Sequence, residues 1–511
     1  MKVFLKKFNW NYGLAIVFCL VTWLVMSNDF MLICFENNRL LFSVTILLIY
    51  IGGIVIQYEL TGKIHDRMLL LGGFVLQFIY VIMTEYNVSP HDLGYFPGFG
   101  STVTERGHLG FIAYIFNFEQ IPQVNPMKVW GYYNPPFHYI LEAVWLKINC
   151  FLGFEEAVCL ENMQYLTMLY TTMSMSVLYT LMEELELSEK ARKIWTLIIA
   201  FHPFFIFTAG SLSNDGLSML LLFVAILYTI RWYRDNSLKN IMILAFAIGF
   251  GMMTKLTVGL VAPATAFVFL VVLINKRKEW KKLFVQFGLF GIVCVPLGLW
   301  WSIRNLIRYN MPIGYVQSFG DFSGQEIMGY SFLGRLRPEL KLWLYPFMSF
   351  NDLAYRLDYG IPSTLIKTSL FCDERLFLEN HFGFYVCRIL VFVTLILFVL
   401  AGAMVLWKTF EHIRYRRFDD IIFWFAMIAL AVQIVSYVSF CFAYPNVCSA
   451  DFRYVVGCMA YLMILMRKTE QKKKHRLLAK IETVSIHFGH GLTLVFVGIS
   501  LFIYLIHLLM L

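Results

Sequence analysis

Of the 511 residues, 59% are hydrophobic and 17% aromatic, while only 15% are charged, and the mean hydropathy is +0.67. A soluble domain carries roughly a quarter charged residues, so this composition excludes a soluble enzyme, a nucleic-acid binder and a disordered chain. The net charge of +9 then belongs with a membrane surface, and ten cysteines without a CxxC pair give neither a zinc nor a redox motif.

A spanning helix needs about 20 apolar residues. In chain order such runs lie near 13–33, 40–58, 66–84, 160–182, 194–211, 214–231, 240–256, 258–274, 284–302, 385–407, 420–443, 453–466 and 484–510, thirteen in all. The first is expected to be kept as a span, since no small-residue cleavage site follows it. Short basic stretches at Lys2–Lys7, Lys63–Arg67, Lys190–Lys193, Arg231–Lys239, Lys276–Lys282, Lys408–Arg417 and Arg467–Lys480 hold 27 of the 42 Lys and Arg residues. Alternating spans from a cytoplasmic N-terminus put all of them inside, as the positive-inside rule requires.

One further apolar run, 136–152, would break that alternation if it crossed. It follows Pro135 and Pro136 and carries His138, Glu142 and Lys147, so a helix lying in the outer interface is expected, with His138 and Glu142 as a helix-surface pair. Two long external segments remain, Glu85–Cys159 and Asn305–Tyr385. They are too long for passive hairpins, and long loops carry function. The expected organisation is a two-helix addition over 1–65, a core over 66–304 that includes external loop 85–159, an external region over 305–384, and C-terminal membrane helices over 385–511.

In the first loop Asp92 lies just past the third span. A carboxylate there is partly desolvated, which raises its pKa and suits it to accept a proton from a nucleophile; the competing reading is a turn former after Pro90. His91, His108 and His138 share the loop, but no spacing is diagnostic of a metal site, and none is favoured.

The ordered motifs carry more. An acid opens the loop (His91-Asp92), followed by Gly107, His108, Gly110 and Phe111, then Tyr132-Tyr133-Asn134-Pro135-Pro136-Phe137-His138. Further on come Ser213-Asn214-Asp215, Thr254-Lys255, Trp300-Trp301 with Arg304-Asn305, and Asp451-Phe452-Arg453-Tyr454. Over about residues 66–470 this series resembles the membrane glycosyltransferases of GT-C fold, the protein O-mannosyltransferase and aminoarabinose-transferase superfamily, closest to the bacterial branch of glycosyltransferase family 39. Asn134 stands where many members have His. The thirteen apolar runs and the two long segments give an expected all-α polytopic protein of about 13 transmembrane helices, with interfacial helices in two large external loops; the resemblance implies the GT-C fold with a core of eleven spans, to which the first two are an N-terminal addition. It also implies a catalytic loop acid, here Asp92, and a polyprenyl-phosphate sugar as donor, undecaprenyl phosphate in a bacterium.

The chemistry sets its own demands. The acceptor loses a proton as it attacks the anomeric carbon, and the departing phosphate needs cations. Lys255, Arg304, Arg308 and Arg453 fall at or near outer ends of spans. Arg308 is read as snorkelling to headgroups, Lys255 as a phosphate contact, and Arg304 and Arg453 as either. Asp215 reads equally as part of a helix cap and as a carboxylate that orients acceptor, donor or Lys255. His108, Tyr132, Tyr133, Asn134 and His138 are expected near substrate. No second carboxylate suits a covalent intermediate, so one inverting displacement is expected. The rivals are a transporter or flippase of lipid-linked glycans, which would show broken helices, and a glycan polymerase or ligase. The sugar and the acceptor are not specified by the sequence.

Overall fold

In the computed structural model the described residues are 10–28, 31–32, 35, 38–89, 91, 94–317, 326–327, 329–348, 358–372, 381–467 and 476–510. Among them the secondary structure is helical, apart from one isolated antiparallel bridge between Glu326 and Asn446. Eight described helices are long and apolar enough to cross a bilayer: Arg39–Thr61, Asp66–Met83, Asp215–Asp235, Leu256–Asn275, Arg277–Tyr309, Phe382–Arg414, Ile421–Ala443 and Ile486–Tyr504. The protein is therefore an integral, multi-pass membrane protein. Exposed Leu41, Leu48 and Ile49 on the first of these suit contact with lipid.

Each of the thirteen apolar stretches contains helix, but they do not resolve into thirteen full spans. Cys458–Leu465 has eight residues, about 12 Å of helix against a hydrocarbon core of about 30 Å. Trp10–Met26 and Leu238–Met252 are apolar but have only 17 and 15 residues. The run 194–211 divides into Glu189–Phe201 and Pro203–Gly210, bent by 42°, because Pro203 supplies no amide hydrogen to the preceding turn. The sequence reading saw no broken helix; the structure has this one. Hydropathy counts apolar residues without regard to where the hydrogen-bond ladder stops, and that is the source of these differences.

Residues cluster into two compact units: Met1–Ser43 with Phe74–Leu178 and Ile206–Ser318, and Val44–Gly73 with Tyr179–Phe205 and Phe319–Leu511. In the first, the N-terminal helix is tied in by Trp23 Nε1 donating to Asn149 Oδ1 at 3.1 Å, and Asn162 Nδ2 donates to Ser27 Oγ at 2.9 Å. The polar helix Met163–Glu184 is accommodated because its hydroxyls bond within the protein. Thr172 and Ser174 donate to carbonyls four residues back at 2.8 Å, and Thr171 donates to Gln77 Oε1 at 3.0 Å. Gly249 lets Leu238–Met252 approach Trp280–Tyr309 closely: a Cβ there would stand 3.0 Å from Leu297 Cβ.

In the second unit Gly73 packs against Ala200, where a Cβ would meet backbone at 2.8 Å. Arg192 Nε bonds Asp66 Oδ2 at 2.9 Å. The helix Ile361–Phe371 is buried, and its Thr368 Oγ1 accepts the Phe452 amide at 2.9 Å.

Candidate functional site

The described part of loop 85–159 folds around an aromatic core. Helix Gly107–Phe118 and helix Phe137–Phe151 bring Phe111 between Tyr132 and Tyr139, with ring centroids at 4.7 and 4.2 Å. Tyr132 is fully buried and donates to Gly110 O at 3.0 Å, so its ring builds the loop rather than facing a ligand. His108 is buried against Tyr139, Nδ1 to hydroxyl at 2.7 Å. Gly131 has φ +89°, and a Cβ there would press on Gly107 at 3.0 Å. Gly107 itself has φ +81°, and a Cβ on Gly110 would collide with Glu105 O, which gives the Gly107-His108-x-Gly110 pattern its physical reason.

Asn134 donates to Gly131 O at 3.0 Å and closes the turn before the helix. Tyr133 is half-buried between Trp130 and Tyr315 at 6.0 and 6.1 Å, and its carbonyl accepts Trp301 Nε1 at 3.4 Å.

His138 and Glu142, expected as a surface pair, are both fully buried. The helix turns this face inward, where His138 Nε2 donates to Leu212 O at 3.0 Å. Burial holds the imidazole down at about 4, against the lesser upward pull of Leu212 and Asp215, so it is neutral at pH 7. Burial likewise pushes the Glu142 carboxyl well above its ordinary range, and neither of its oxygens finds a hydrogen-bond partner among the described residues. The i,i+4 spacing was legible in the sequence; the direction of that face was not.

The Leu212 carbonyl leads into the main constellation. Ser211 Oγ donates to Ser213 Oγ at 3.0 Å, and Ser213 Oγ to Asp215 Oδ2 at 3.1 Å. Asn214 is the cap residue of Asp215–Asp235, but its side chain donates instead to Thr254 O at 2.9 Å. Asp215, in the first turn, forms an ion pair with Lys255.

Lys255 does not lie within a helix, as the sequence suggested. Helix Leu238–Met252 ends, Lys255 is extended with φ −156°, and a 3₁₀ helix Leu256–Val261 follows. Gly251 allows this tight reversal, since a Cβ there would meet Val258 Cγ1 at 2.5 Å. The Phe137 amide donates to Met253 O at 3.0 Å. Three chain breaks, at 136–138, 211–215 and 253–255, therefore converge on one ion pair whose lysine side chain stays 15% exposed and whose aspartate is 5% exposed.

Asp92 lies outside the described residues. His91, just before it, is buried with φ +80°, a strained backbone for a non-glycine residue. Ser89 Oγ donates to Gly210 O at 2.5 Å, five residues before Asp215.

Arg304 is clamped to the first loop. One NH₂ group donates to Asn305 Oδ1 at 2.7 Å and the other to Pro122 O at 2.7 Å, while the guanidinium lies over Trp301, 4.7 Å from the ring centroid. Arg308 donates to Gln123 Oε1 at 2.8 Å. Among the described residues no carboxylate pairs with Arg304. Arg453 belongs to the second unit, where its amide bonds Asp451 Oδ1 at 2.8 Å and its side chain lies over Tyr454 at 5.3 Å. Among the described residues no three His, Cys, Asp or Glu side chains converge on a metal-sized space.

Residues 148–301 match the family described as dolichyl-phosphate-mannose-protein mannosyltransferase. No curated protein matches the chain in sequence. Among solved structures, the oligosaccharyltransferase AglB of Archaeoglobus fulgidus, in complex with an inhibitory peptide and a dolichol-phosphate, is 14% identical. Its TM-score is 0.44, with 87% of this chain and 56% of that one covered. The oligosaccharyltransferase of the same archaeon in apo form is 13% identical, with a TM-score of 0.45 over 87% and 55%. ArnT from Cupriavidus metallidurans bound to undecaprenyl phosphate is 14% identical, with a TM-score of 0.35 over 78% and 76%. The chain spans about half the length of the oligosaccharyltransferases it matches. The family match covers Ser213-Asn214-Asp215, Thr254-Lys255 and Trp300-Trp301, so this stretch of the chain is similar to that mannosyltransferase family.

Proposed function

We propose that the protein is an inverting glycosyltransferase that moves a sugar from a polyprenyl-phosphate donor to an acceptor on the extracytoplasmic face of the plasma membrane. The observation that carries this reading is the half-open Asp215–Lys255 pair at the meeting of three chain breaks, inside the segment of family likeness. Asp92 takes the proton of the acceptor hydroxyl or amine, the freed lone pair attacks the anomeric carbon, and the bond from that carbon to the phosphate oxygen breaks. The configuration inverts because a single displacement occurs.

Lys255 neutralises the phosphate and is held in place by Asp215 until donor arrives, and Arg304 adds a second cation. The guanidinium of Arg304 suits this because its present partners are neutral, so no carboxylate competes with phosphate. His108, Tyr132, Asn134 and neutral His138 shape the loop, and Tyr133, half-buried, meets the sugar. The resemblance rather than the geometry supplies the role of Asp92.

The deciding experiment is transfer from an undecaprenyl-phosphate sugar in proteoliposomes. Asp92→Asn is expected to abolish turnover with donor affinity intact; turnover within threefold of wild type removes Asp92 from its role. The bent helix at Pro203 favours a second reading, a flippase of lipid-linked glycan. Donor crossing the bilayer without any acceptor would support that reading instead.

A further inference from the structure

Cys150 lies on the last turn of helix Phe137–Phe151, and Cys159 on helix Glu156–Glu161. Their sulfur atoms are 3.9 Å apart, nine residues apart in sequence. Cys159 is fully buried, with its thiol also directed at Phe154 O at 3.4 Å, whereas Cys150 is half-buried. The turn between them contains Gly153 at φ +86°, with open space around the position of a Cβ, so the turn has room to adjust. A disulfide needs sulfurs about 2.05 Å apart, and a rotamer change at the helix end covers most of the difference.

We propose that Cys150 and Cys159 are a modification site, a dithiol that a disulfide-bearing oxidant converts into an intrachain disulfide. The roles of the two sulfurs differ by environment. Burial pushes the Cys159 thiol up to about 12, with further upward push from Cys150 and Glu156. The half-buried Cys150 is the one an oxidant reaches. Its thiolate attacks one sulfur of the oxidant, which leaves as a thiolate and gives a mixed disulfide on Cys150. Cys159 then passes its proton to the departing thiolate and attacks the Cys150 sulfur, and a second oxidant thiol leaves. The two protein thiols lose two electrons and two protons; the oxidant disulfide gains them.

The closed ring contains the turn 151–158 and ties the end of the His138 helix to the start of the next. It adds to Asn149 and Trp145, which reach Asn162 across the same turn at 2.8 and 2.7 Å. An extracytoplasmic placement, proposed above, puts the pair where disulfides persist, but the test below uses purified protein and does not depend on sidedness.

Full-length protein in detergent is incubated with oxidised glutathione, quenched with an alkylating agent and mapped by mass spectrometry without reduction. The expected product is a peptide linking Cys150 and Cys159, lighter by about 2 Da than its reduced form. Cys159→Ser is expected to leave glutathione on Cys150, and Cys150→Ser to leave Cys159 unmodified. The oxidised wild type should melt a few degrees higher, a shift undone by dithiothreitol and absent in both variants. Alkylation of both thiols after oxidation, a glutathione adduct that persists on wild-type Cys150, or either cysteine linked elsewhere would overturn the proposal.

Discussion

Among the described residues two aspartate–lysine pairs lie away from bulk water, and they are built differently. Asp358 and Lys367 are nine residues apart, 2.8 Å between Oδ1 and Nζ, and exposed by only 1% and 0%. The pair closes the start of helix Ile361–Phe371, where Thr364 Oγ1 also donates to Asp358 O at 3.0 Å, and Lys367 Nζ stands 5.9 Å from the Tyr345 ring. Burial draws the ammonium below its ordinary value, even though Asp358 pulls it up. Asp215 and Lys255 are forty residues apart, come from two different chain breaks, and leave the lysine partly open. A sealed local pair fixes a segment, whereas a half-open pair assembled from distant segments can exchange its carboxylate for another anion.

The sharpest way to break this contrast is to remove one partner of the sealed pair. Lys367→Ala or Asp358→Ala strands a charge where water does not reach, and each should cost about 3–5 kcal/mol in thermal unfolding of the detergent-solubilised protein. Asp358→Leu combined with Lys367→Met should recover most of that loss. Single variants that lose less than about 1 kcal/mol would show that the pair is not structural.

The half-open pair should respond in binding as well as in stability. Lys255→Met leaves Asp215, only 5% exposed, without its cation and is expected to cost about 3 kcal/mol, the low end for a broken buried pair, and to weaken binding of undecaprenyl phosphate about a hundredfold, equivalent to about 2.7 kcal/mol. Titration calorimetry in detergent with the lipid phosphate measures it. Unchanged affinity would place Lys255 in the same structural class as Lys367.

The two pairs also differ in how far the sequence revealed them. Asp215 and Lys255 were visible because short polar motifs interrupt apolar runs, where an unpaired charge is too costly to stay. Their mutual pairing was not visible, because nothing in a one-dimensional pattern tells which two breaks meet. Asp358–Lys367 went unread for a related reason: within an external segment of mixed polarity, two charges look solvated until packing removes the water. The helix positions followed from apolar runs, while Pro203, Lys255 and the 3₁₀ turns near Phe452 divided runs that hydropathy alone treats as continuous. The inward turn of His138 and Glu142 escaped as well, since an i,i+4 pair reads the same on either face of an interfacial helix.

A carboxyl with no lysine at all completes the series. Glu161 ends the short helix Glu156–Glu161, just before Met163–Glu184, and accepts from the Tyr86 amide at 3.1 Å and from Gln164 Nε2 at 3.0 Å. Burial raises it from 4.5 to about 7; the Tyr86 amide and Gln164 pull it back, nearby Glu85 adds to the rise, and Arg39 opposes it. The folded protein therefore keeps this proton at pH values where the unfolded chain has lost it. Stability from Glu161 is complete below about pH 4.5, declines as pH rises toward 7, and changes little beyond. Allowing for the part of the carboxyl that water still reaches, the decline should be about 2 kcal/mol. Melting curves between pH 4.5 and 8 measure it, with Glu161→Gln expected to flatten this component. A wild-type profile that rises over that interval and is flattened by the substitution would mean that Arg39, rather than burial, governs the group.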